Sequence, residues 1–275
     1  MLLAAGRGER MRPLTDSTPK PLLPVHGKPL MQWHLEALSR AGVRRVVVNT
    51  AWLGLQISAR FNDHFSLQPA SSRPEQLSNK TDLSISYSHE GEDFGGALET
   101  AGGVARALPL LCPPAAAGAQ ADVFWVLASD VYVPDFVFSA AAVARFVASD
   151  KLAHLWLVPN PAHHLRGDFG LDETGGIALA LNLPAPDTRA RYTFSSIGLY
   201  RRALFEPPWC NIASGNPLGV KAPLAPLLRA AMDNGLVSAE LYGGPWTDVG
   251  TPERLHALNL NSPSAHPRRL LEPHP

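Results

Sequence analysis

The sequence predicts an α/β protein built on an open, mostly parallel sheet with helices on both faces. Short apolar or alternating runs of strand length recur between segments whose apolar residues follow helical spacing. Two of these runs, Arg45–Asn49 and Asp122–Leu127, are almost continuously apolar, which is typical of strands buried on both faces. With 275 residues, 45% of them hydrophobic, the chain can bury one large core. These observations favour a Rossmann-like architecture.

The expected elements follow one another in β-α order after a short opening strand. The expected helices are Pro29–Ala41, Trp52–Phe61, Glu99–Leu110, Val137–Val147 and Pro223–Met232. The expected strands are Arg45–Asn49, Leu83–Tyr87, Asp122–Leu127, Leu155–Val158, Ile177–Leu181, Tyr192–Tyr200 and Val237–Tyr242. A Pro-rich loop separates the two runs between residues 177 and 200, and we expect these two strands to form a small antiparallel extension.

The sequence predicts a single domain over residues 1–260, which contains two turn-rich segments and is followed by a tail. Ser66–Asp82 and Leu111–Gln120 are rich in polar, Pro or Ala residues and predict extended loops. Residues 261–275 contain four prolines and no periodic pattern, which predicts a disordered tail.

The charge balance, the length of the apolar runs and the cysteine content argue against a nucleic-acid-binding, membrane or secreted protein. Lys+Arg and Asp+Glu number 24 each, so nothing favours a nucleic acid or an anionic membrane as partner. No apolar run approaches the ~20 residues of a membrane helix, and no secretory leader is expected. Cys112 and Cys210 are expected to be free thiols in a reducing compartment. We therefore expect a cytoplasmic protein, a monomer or a small homo-oligomer.

A loop rich in glycines and cations follows the first strand. Gly6 and Gly8 let backbone N–H groups approach phosphate oxygens, because no Cβ blocks the way. Arg10, Arg12 and Lys20 supply positive charge for a triphosphate, although Arg12 could serve only to support the loop. A dinucleotide fingerprint is excluded because methionine occupies its third glycine position, and the P-loop pattern is absent. The loop therefore predicts a nucleoside triphosphate site.

Two aspartates stand where strands end. Asp130 follows the buried strand Asp122–Leu127, and Asp248 lies at another strand-to-helix junction, Trp246–Pro252. Such positions border the ligand crevice of an open parallel sheet. Because Mg²⁺ prefers a few carboxylates plus substrate oxygens, the pair predicts a magnesium site. Taken singly, either aspartate could instead cap a helix.

Together the loop and the aspartates resemble the signatures of the nucleotidyltransferases that join a sugar 1-phosphate to a nucleoside triphosphate. The family pattern G-x-G-x-R-[LM], then P-K-P-L-[LV]-P-V, matches residues 6–25, and W-x-D-[VI]-G-T matches residues 246–251. The resemblance implies that Arg10 eases pyrophosphate departure and that Lys20 contacts the α-phosphate and the transition state. It also implies that Asp130 and Asp248 bind Mg²⁺ together, which completes the expected catalytic set. The implied nucleotide contacts are Ala5, Gly6, Gly8, Glu9, Arg10, Lys20, Glu99 and Gly102.

The segment Leu98–Gly103 is similar to the family's L-[GE]-T-[AG]-G, whose backbone lies against the nucleobase. This similarity is the reason for expecting nucleotide contacts at Glu99 and Gly102. Thr100 could equally cap the helix that follows, a role compatible with base contact.

On the sugar side, residues 160–169 resemble the N-P-x-H-H-x-x-G-D-F stretch of the uridylyltransferases that act on N-acetylmuramate α-1-phosphate. That resemblance implies sugar contacts at Asn160 and Asp168, and a phosphate contact at Lys221. For Lys221 the alternative is an ordinary surface charge at a helix entry. The adjacent histidines within the stretch are expected in a solvated turn rather than at a metal.

One departure from this subgroup lies at the end of the predicted metal strand. The subgroup has N-G-D where this chain has Ala128-Ser129-Asp130, so an amide is missing at a substrate-binding position, Ala128. The sugar carried by subgroup substrates bears a lactyl carboxylate, and Arg166 is one candidate partner for it.

The resemblance implies Mg²⁺-dependent transfer of UMP from UTP to N-acetylmuramate α-1-phosphate, a step of peptidoglycan recycling. Two alternatives stay open: another sugar-1-phosphate nucleotidyltransferase, such as a mannose-1-phosphate guanylyltransferase or a glucose-1-phosphate thymidylyl- or uridylyltransferase, and a non-catalytic nucleotide-sugar-binding regulator. A serine hydrolase is disfavoured because Ser196 lacks the preceding glycine of G-x-S-x-G.

Overall fold

A computed structural model of the chain describes residues 1–67, 82–113, 122–174, 177–184 and 187–260. The expected tail over residues 261–275 lies outside the described residues, as do most of the expected loops Ser66–Asp82 and Leu111–Gln120. None of the helices in the described ranges has the length and apolar character that crossing a bilayer requires.

A ten-stranded sheet forms the centre of the described part of the chain. Its strands are β1 (Leu2–Ala4), β4 (Arg45–Thr50), β5 (His64–Ser66), β6 (Asp82–His89), β7 (Val123–Ala128), β9 (Ala153–Val158), β10 (Phe169–Asp172), β11 (Leu179–Leu181), β12 (Arg191–Arg201) and β13 (Val237–Leu241). They lie in the order β10-β11-β13-β9-β12-β7-β1-β4-β6-β5. The strands β6, β4, β1 and β7 are parallel neighbours, and β9 and β13 form a second parallel pair. The mostly parallel sheet expected from the sequence is confirmed.

Two pairs of short strands lie apart from this sheet. One joins β2 (Pro24–Val25) to β3 (Lys28–Pro29), and the other joins β8 (Val131–Tyr132) to β14 (Thr247–Asp248). Both pairs are antiparallel.

Helices cover both faces of the sheet, because successive side chains of a strand point to opposite faces. The helices are α1 (Leu30–Arg40), α2 (Gly54–Phe61), α3 (Glu90–Phe94), α4 (Glu99–Leu111), α5 (Ala140–Ala148), α6 (Leu224–Asp233) and α7 (Pro252–Leu260). In β4, Val46 and Val48 pack in one core cluster with residues of α1, α2 and α5. Val47 packs in a second cluster with residues of α4 and α6. The apolar run of β4 is therefore buried from both sides, as its sequence predicts.

One expectation about the antiparallel strands is wrong in its placement. From Thr193 onward, the strand β12 does not belong to a peripheral extension; it lies antiparallel between β7 and β9, in the middle of the sheet. The central position keeps its large side chains Ile197, Leu199 and Tyr200 almost fully buried. At the sheet edge β10 and β11 form an antiparallel extension, and the first residues of β12, Arg191 and Tyr192, pair antiparallel with β10.

Element boundaries differ where capping or core packing overrides helical spacing. The helix expected over Val137–Val147 begins at Ala140, because the Ser139 hydroxyl accepts a hydrogen bond from Ala142 N–H at 3.3 Å. Phe136 and Phe138, just before it, are buried in the core instead. The elements β5, β10 and α3 were not expected, since they are too short for a periodic pattern. The helix α7 begins at Pro252, where the strand-to-helix junction after Asp248 was expected.

Candidate active site

The glycine-rich loop lies at the carboxyl end of β1 and is shaped by its own hydrogen bonds. Gly8 has a left-handed backbone (φ 68°), and a Cβ there would lie 3.0 Å from Thr15 Cγ2. A 3₁₀ turn at Glu9–Met11 follows, in which Met11 N–H donates to the Gly8 carbonyl at 2.9 Å. The Thr15 hydroxyl donates to the same carbonyl at 2.8 Å. Conformation and space therefore both require glycine at position 8.

The three arginines of this region differ in their partners. Arg7 stacks its guanidinium 3.4 Å from the ring centroid of Trp52. Arg12 pairs with Asp16 at 2.8 Å on the exposed surface. Arg10 lines the adjoining cavity, is exposed, and has no ion pair with any residue that the structure describes. Arg10 is thus the arginine whose charge is available to a ligand, whereas Arg12 is engaged within the loop.

Lys20 lies buried beside the loop and contacts the first predicted metal aspartate. Its Nζ lies 2.5 Å from Asp130 Oδ2. The lysine side chain is 10% exposed and the aspartate side chain 37% exposed. Pro21 stands within the 3₁₀ turn that begins at Lys20, and Pro19 precedes it in an extended conformation. The ammonium group is therefore held between the loop and the end of β7.

Backbone pairing brings the two predicted metal aspartates together. In the β8–β14 pair Asp248 lies opposite Val131, and Val249 N–H donates to the Asp130 carbonyl at 3.0 Å. Asp130 and Asp248 thus come from distant parts of the sequence to neighbouring backbone positions. Both carboxylates keep access to solvent, because their side chains are 37% and 24% exposed.

Asp248 has two partners that the sequence did not lead us to expect. Arg254 Nη1 donates to Asp248 Oδ2 at 2.5 Å, and His163 Nε2 lies 3.4 Å from the same oxygen. Arg254 Nη1 also lies 2.8 Å from His163 Nε2. Arg254 reaches back from α7, and His163 belongs to the loop between β9 and β10. The stretch compared above with sugar-binding sequences is therefore tied to the predicted metal aspartate rather than only solvated.

A small apolar cluster lies beneath the four expected catalytic residues. Its buried members are Met11, Leu23, Val25, Leu30, Tyr132, Val249 and Leu255. Each of the expected catalytic residues has a member of this cluster within three positions in the sequence. Packing in the cluster therefore fixes the backbone from which the four side chains project.

Two polar residues that line the same cavity were missed by the sequence analysis. Asn49 Oδ1 accepts from Ala4 N–H at 2.9 Å, and Asn49 Nδ2 donates to Glu90 Oε1 at 2.7 Å. Glu90 Oε2 accepts from Leu98 N–H at 2.7 Å. Burial raises the pKa of Glu90 above its ordinary value, although these two hydrogen bonds act to lower it. The network connects the end of β1 to the start of α4.

A signal for this pair was present in the sequence. Asn49 lies near the end of the apolar strand β4, and Glu90 follows β6 directly. Polar residues at the carboxyl ends of parallel strands are the pattern that singled out Asp130. The same reasoning applied to every strand would have found both.

The cavity above the loop has a volume of about 390 Å³, within the range of ligand sites. It collects most of the expected nucleotide-binding and catalytic residues: Ala5, Gly6, Gly8, Glu9, Arg10, Lys20, Glu99, Ala128 and Asp130. Asp248 does not line it, but Gly250, two residues further on, does.

Gly102, expected to contact the nucleotide, does not line this cavity and has a packing role. A Cβ on Gly102 would lie 2.4 Å from the Val220 carbonyl oxygen. Its N–H donates to the Ala222 carbonyl at 3.1 Å. The close approach of residues 220–222 to α4 therefore explains the glycine, and a nucleotide contact there stays a prediction.

Glu99 begins α4 in a left-handed conformation, with φ 59°. A residue with a Cβ rarely adopts this conformation and incurs a cost of about 1 kcal/mol. Such strain is typical of ligand sites, and Glu99 lines both the cavity above the loop and a neighbouring one. The backbone at Glu99 is therefore held in a left-handed conformation that glutamate disfavours.

The neighbouring cavity has a volume of about 540 Å³ and a largely aromatic and aliphatic lining. It shares Leu3, Glu99, Thr100 and Ala128 with the first cavity, so the two are contiguous. The residues that line it alone are Val126, Asp168, Phe169, Phe194, Ser196, Tyr200, Pro223, Leu224, Ala225, Leu228 and Arg229.

Of two expected sugar contacts, Asp168 lines the second cavity and Asn160 does not. Asp168 lines it, with Oδ1 3.1 Å from His164 Nε2 and Oδ2 accepting from Phe194 N–H at 2.8 Å. Asn160 lies off both cavities, and its amide donates to the Arg191 carbonyl at 2.9 Å. A sugar contact by Asn160 stays a prediction.

Two further substrate positions were named from the sequence. Ala128 lines both cavities, and the hydroxyl of the following Ser129 donates to the Leu3 carbonyl at 2.6 Å. The extra atoms of Ser129 are therefore hydrogen-bonded to β1. Lys221 is exposed and unpaired within the described ranges, next to residues that pack on the first turn of α4. A phosphate contact by Lys221 stays a prediction.

The donor set at the aspartates fits a hard divalent cation. No group of three or more His, Cys, Asp or Glu that could hold a metal occurs in the described residues. Mg²⁺, however, is commonly held by one or two carboxylates together with substrate phosphates and water. Asp130 and Asp248 supply such a pair, and each is already matched by a side-chain cation, Lys20 and Arg254.

Comparison with known proteins gives consistent results. A model of the nucleotidyl transferase family matches residues 1–264. An N-acetylmuramate α-1-phosphate uridylyltransferase of Neisseria meningitidis is 43% identical over 256 residues, which are 93% of this chain and 94% of the relative. A catalytic subunit beta of mannose-1-phosphate guanylyltransferase from Drosophila melanogaster is 34% identical over 92% of this chain, but this chain spans only 59% of that relative.

A solved structure shares the fold. A Bacillus anthracis protein assigned as a glucose-1-phosphate thymidylyltransferase superposes with a TM-score of 0.68, covering 94% of this chain and 92% of that chain. Its sequence identity is 18%, so the likeness concerns the fold alone.

Proposed function

This chain belongs to the nucleotidyl transferase family, and from that premise we propose that it transfers the uridylyl group of UTP to N-acetylmuramate α-1-phosphate. The observation that carries the choice of substrate is the 43% identity to the Neisseria uridylyltransferase over nearly the whole of both chains. The products are UDP-N-acetylmuramate and pyrophosphate. The reaction serves peptidoglycan recycling, in the cytoplasm, where buried free thiols such as Cys112 and Cys210 stay reduced.

The first cavity receives the triphosphate. Backbone N–H groups of the loop around Gly6 and Gly8 face the phosphate oxygens, and Arg10 stabilises the negative charge of the leaving pyrophosphate. Lys20 turns from Asp130 to the α-phosphate and stabilises the charge that develops there in the transition state. The short distance from Lys20 to Asp130 supports this role, because it keeps the ammonium on the wall of the first cavity, which Asp130 also lines.

Asp130 and Asp248 would hold Mg²⁺. When bound there, the ion would supply positive charge that lowers the repulsion between an anionic nucleophile and an anionic triphosphate. The support for this assignment is the backbone pairing of β8 with β14, which brings Asp130 and Asp248 to neighbouring backbone positions with both side chains partly exposed.

The second cavity receives the sugar, with its phosphate directed to the shared wall at Ala128 and Thr100. An oxygen of the sugar phosphate attacks the α-phosphorus of UTP in line, and the bond to the β-phosphate oxygen breaks. No general base is needed, because the nucleophile is already anionic. The protein therefore accelerates the reaction by positioning the two substrates and stabilising charge.

A matrix of substrates tests the proposal. Pyrophosphate release is measured for UTP, dTTP and GTP, each with N-acetylmuramate, N-acetylglucosamine, glucose and mannose 1-phosphates. We expect the highest kcat/KM for UTP with N-acetylmuramate α-1-phosphate. A higher value for UTP with another sugar, or for GTP with mannose 1-phosphate, would contradict the proposed substrate while leaving the family unchanged.

A further inference from the structure

The second cavity has one cationic side chain among the described residues that line it, and it is Arg229 on α6. The other charged residues of the lining are Glu99 and Asp168, both acidic. The rest of the lining is apolar or neutral. A ligand with a carboxylate would be repelled near the two acids and attracted at the α6 end of the cavity.

The guanidinium of Arg229 is held in place by neutral groups. Its Nη1 donates to Asn182 Oδ1 at 2.7 Å, and its Cζ lies 5.3 Å from the centroid of the Phe169 ring. Asn182 is itself oriented by Asp233, because its Nδ2 donates to both carboxylate oxygens at 3.0 and 3.2 Å. The oxygen of Asn182 therefore faces the arginine.

This arrangement leaves Arg229 without a direct ion pair, because Asn182 stands between it and the carboxylate of Asp233. Arg229 forms no ion pair within the described ranges. A guanidinium has five N–H donors, and the hydrogen bond to Asn182 uses one. The remaining donors can bind a carboxylate in the bidentate geometry that arginine favours.

We propose that Arg229 binds the lactyl carboxylate of N-acetylmuramate 1-phosphate and so determines the choice of sugar. The inference rests on the proposed function, and it names the group that reads the difference between muramate and N-acetylglucosamine. These sugars differ only in the lactyl ether and its carboxylate. Arg166, the candidate from the sequence, is exposed and lies off both cavities.

Steady-state kinetics with UTP and each of the two sugar 1-phosphates test the inference, using the full chain and its Arg229→Met variant. Methionine keeps an unbranched apolar stem, so the packing of α6 is preserved. Because the variant loses a charge-assisted hydrogen bond to the carboxylate, we expect kcat/KM for N-acetylmuramate 1-phosphate to fall about 10- to 100-fold. This loss should arise from a higher KM rather than from a lower kcat. The kcat/KM for N-acetylglucosamine 1-phosphate should stay within about threefold, since that sugar has no group for Arg229 to bind.

Three further variants sharpen the result. Arg229→Lys keeps the charge without the planar fork and should recover part of the loss. Asn182→Ala removes the residue that orients Arg229 and should give a smaller loss, again for the muramate alone. Arg166→Met is the matched control on the exposed surface and should leave both values unchanged.

Three outcomes would contradict the inference. If Arg229→Met lowers kcat/KM equally for both sugars, or for neither, Arg229 does not read the carboxylate and the inference is wrong. If Arg166→Met rather than Arg229→Met abolishes the preference, the carboxylate is bound at the loop. If the unaltered enzyme prefers N-acetylglucosamine 1-phosphate, the proposed function itself fails, and the inference fails with it.

Discussion

The ammonium group of Lys20 and the carboxylate of Asp130 form an ion pair at 2.5 Å, although 110 positions separate the two residues in the chain. The pair links the loop that follows β1 to the end of β7. It also leaves the lysine nearly buried, at 10% exposure, beside the cavity in which the triphosphate is proposed to bind. Lys20 is therefore held beside the proposed phosphate site before any ligand arrives, and ligand binding needs only a change of its anionic partner.

Replacing Lys20 should slow the chemical step more than it weakens nucleotide binding. We expect Lys20→Ala to lower kcat by about 10²-fold, equivalent to ~3 kcal/mol, because a preorganised cation is lost from the transition state. Single-turnover rates and UTP dissociation constants separate the two effects. Lys151→Ala, at a lysine paired with Asp150, is the control. A tenfold loss of UTP affinity with unchanged kcat would mean that Lys20 binds UTP in the ground state and does not stabilise the transition state.

The aspartate pair should behave as metal ligands. Asp130→Asn and Asp248→Asn should each lower kcat by at least ~10²-fold and raise the Mg²⁺ concentration needed for half-maximal rate, since each removes charge from a ligand. Their melting temperatures should stay close to that of the unaltered protein, because both side chains are partly exposed. The matched control is Asp135→Asn, at an exposed position after β8. Normal Mg²⁺-dependent turnover in either variant would remove that residue from the metal site.

The strained turn at Glu99 predicts opposite effects for two substitutions. Glu99→Gly should raise the free energy of unfolding by up to about 1 kcal/mol, because glycine adopts φ 59° without strain. UTP affinity should be retained, since the family resemblance implies contact through the backbone. Glu99→Val should lower both quantities, because a β-branched residue disfavours this conformation. If Glu99→Gly weakens UTP binding tenfold, the carboxylate itself contacts the nucleotide.

His34 predicts an acid-sensitive contribution to stability. It is buried in α1, with Nε2 2.8 Å from the Val131 carbonyl, and burial lowers its pKa from 6.5 to about 4. Between these values the unfolded chain binds a proton that the folded chain does not. The stability due to neutral His34 is thus present above pH 6.5 and is lost as the pH falls towards 4.

At about 1.4 kcal/mol per pKa unit, the loss across this window amounts to about 3 kcal/mol. Urea unfolding at pH 7.5 and pH 4.5 measures it. His34→Gln, which can still donate to Val131, should lose this part of the pH dependence. His256→Gln, at an exposed position of α7, should retain it. Equal pH dependence in His34→Gln and the unaltered protein would contradict the assignment.

The sequence predicts the local features of this protein better than its long-range ones. The glycine-rich loop after β1 and the strand β4 follow from residue type and periodicity, and both agree with the structure. The central position of β12 could not be predicted, because an apolar run identifies a strand but not its neighbours. The same limit explains Arg254 and His163, whose contacts with Asp248 depend on how α7 and the β9–β10 loop fold back.

The two aspartates are each paired with a side-chain cation, so a metal ion can bind there only by replacing these cations. Lys20 and Arg254 act as resident counter-ions of Asp130 and Asp248, so a free divalent ion gains little by displacing them. A triphosphate changes the balance, because its oxygens offer the displaced Lys20 a new anionic partner. Metal and nucleotide should therefore load as one unit, and calorimetric titration with Mg²⁺ should give measurable heat of binding only after a non-hydrolysable UTP analogue is added.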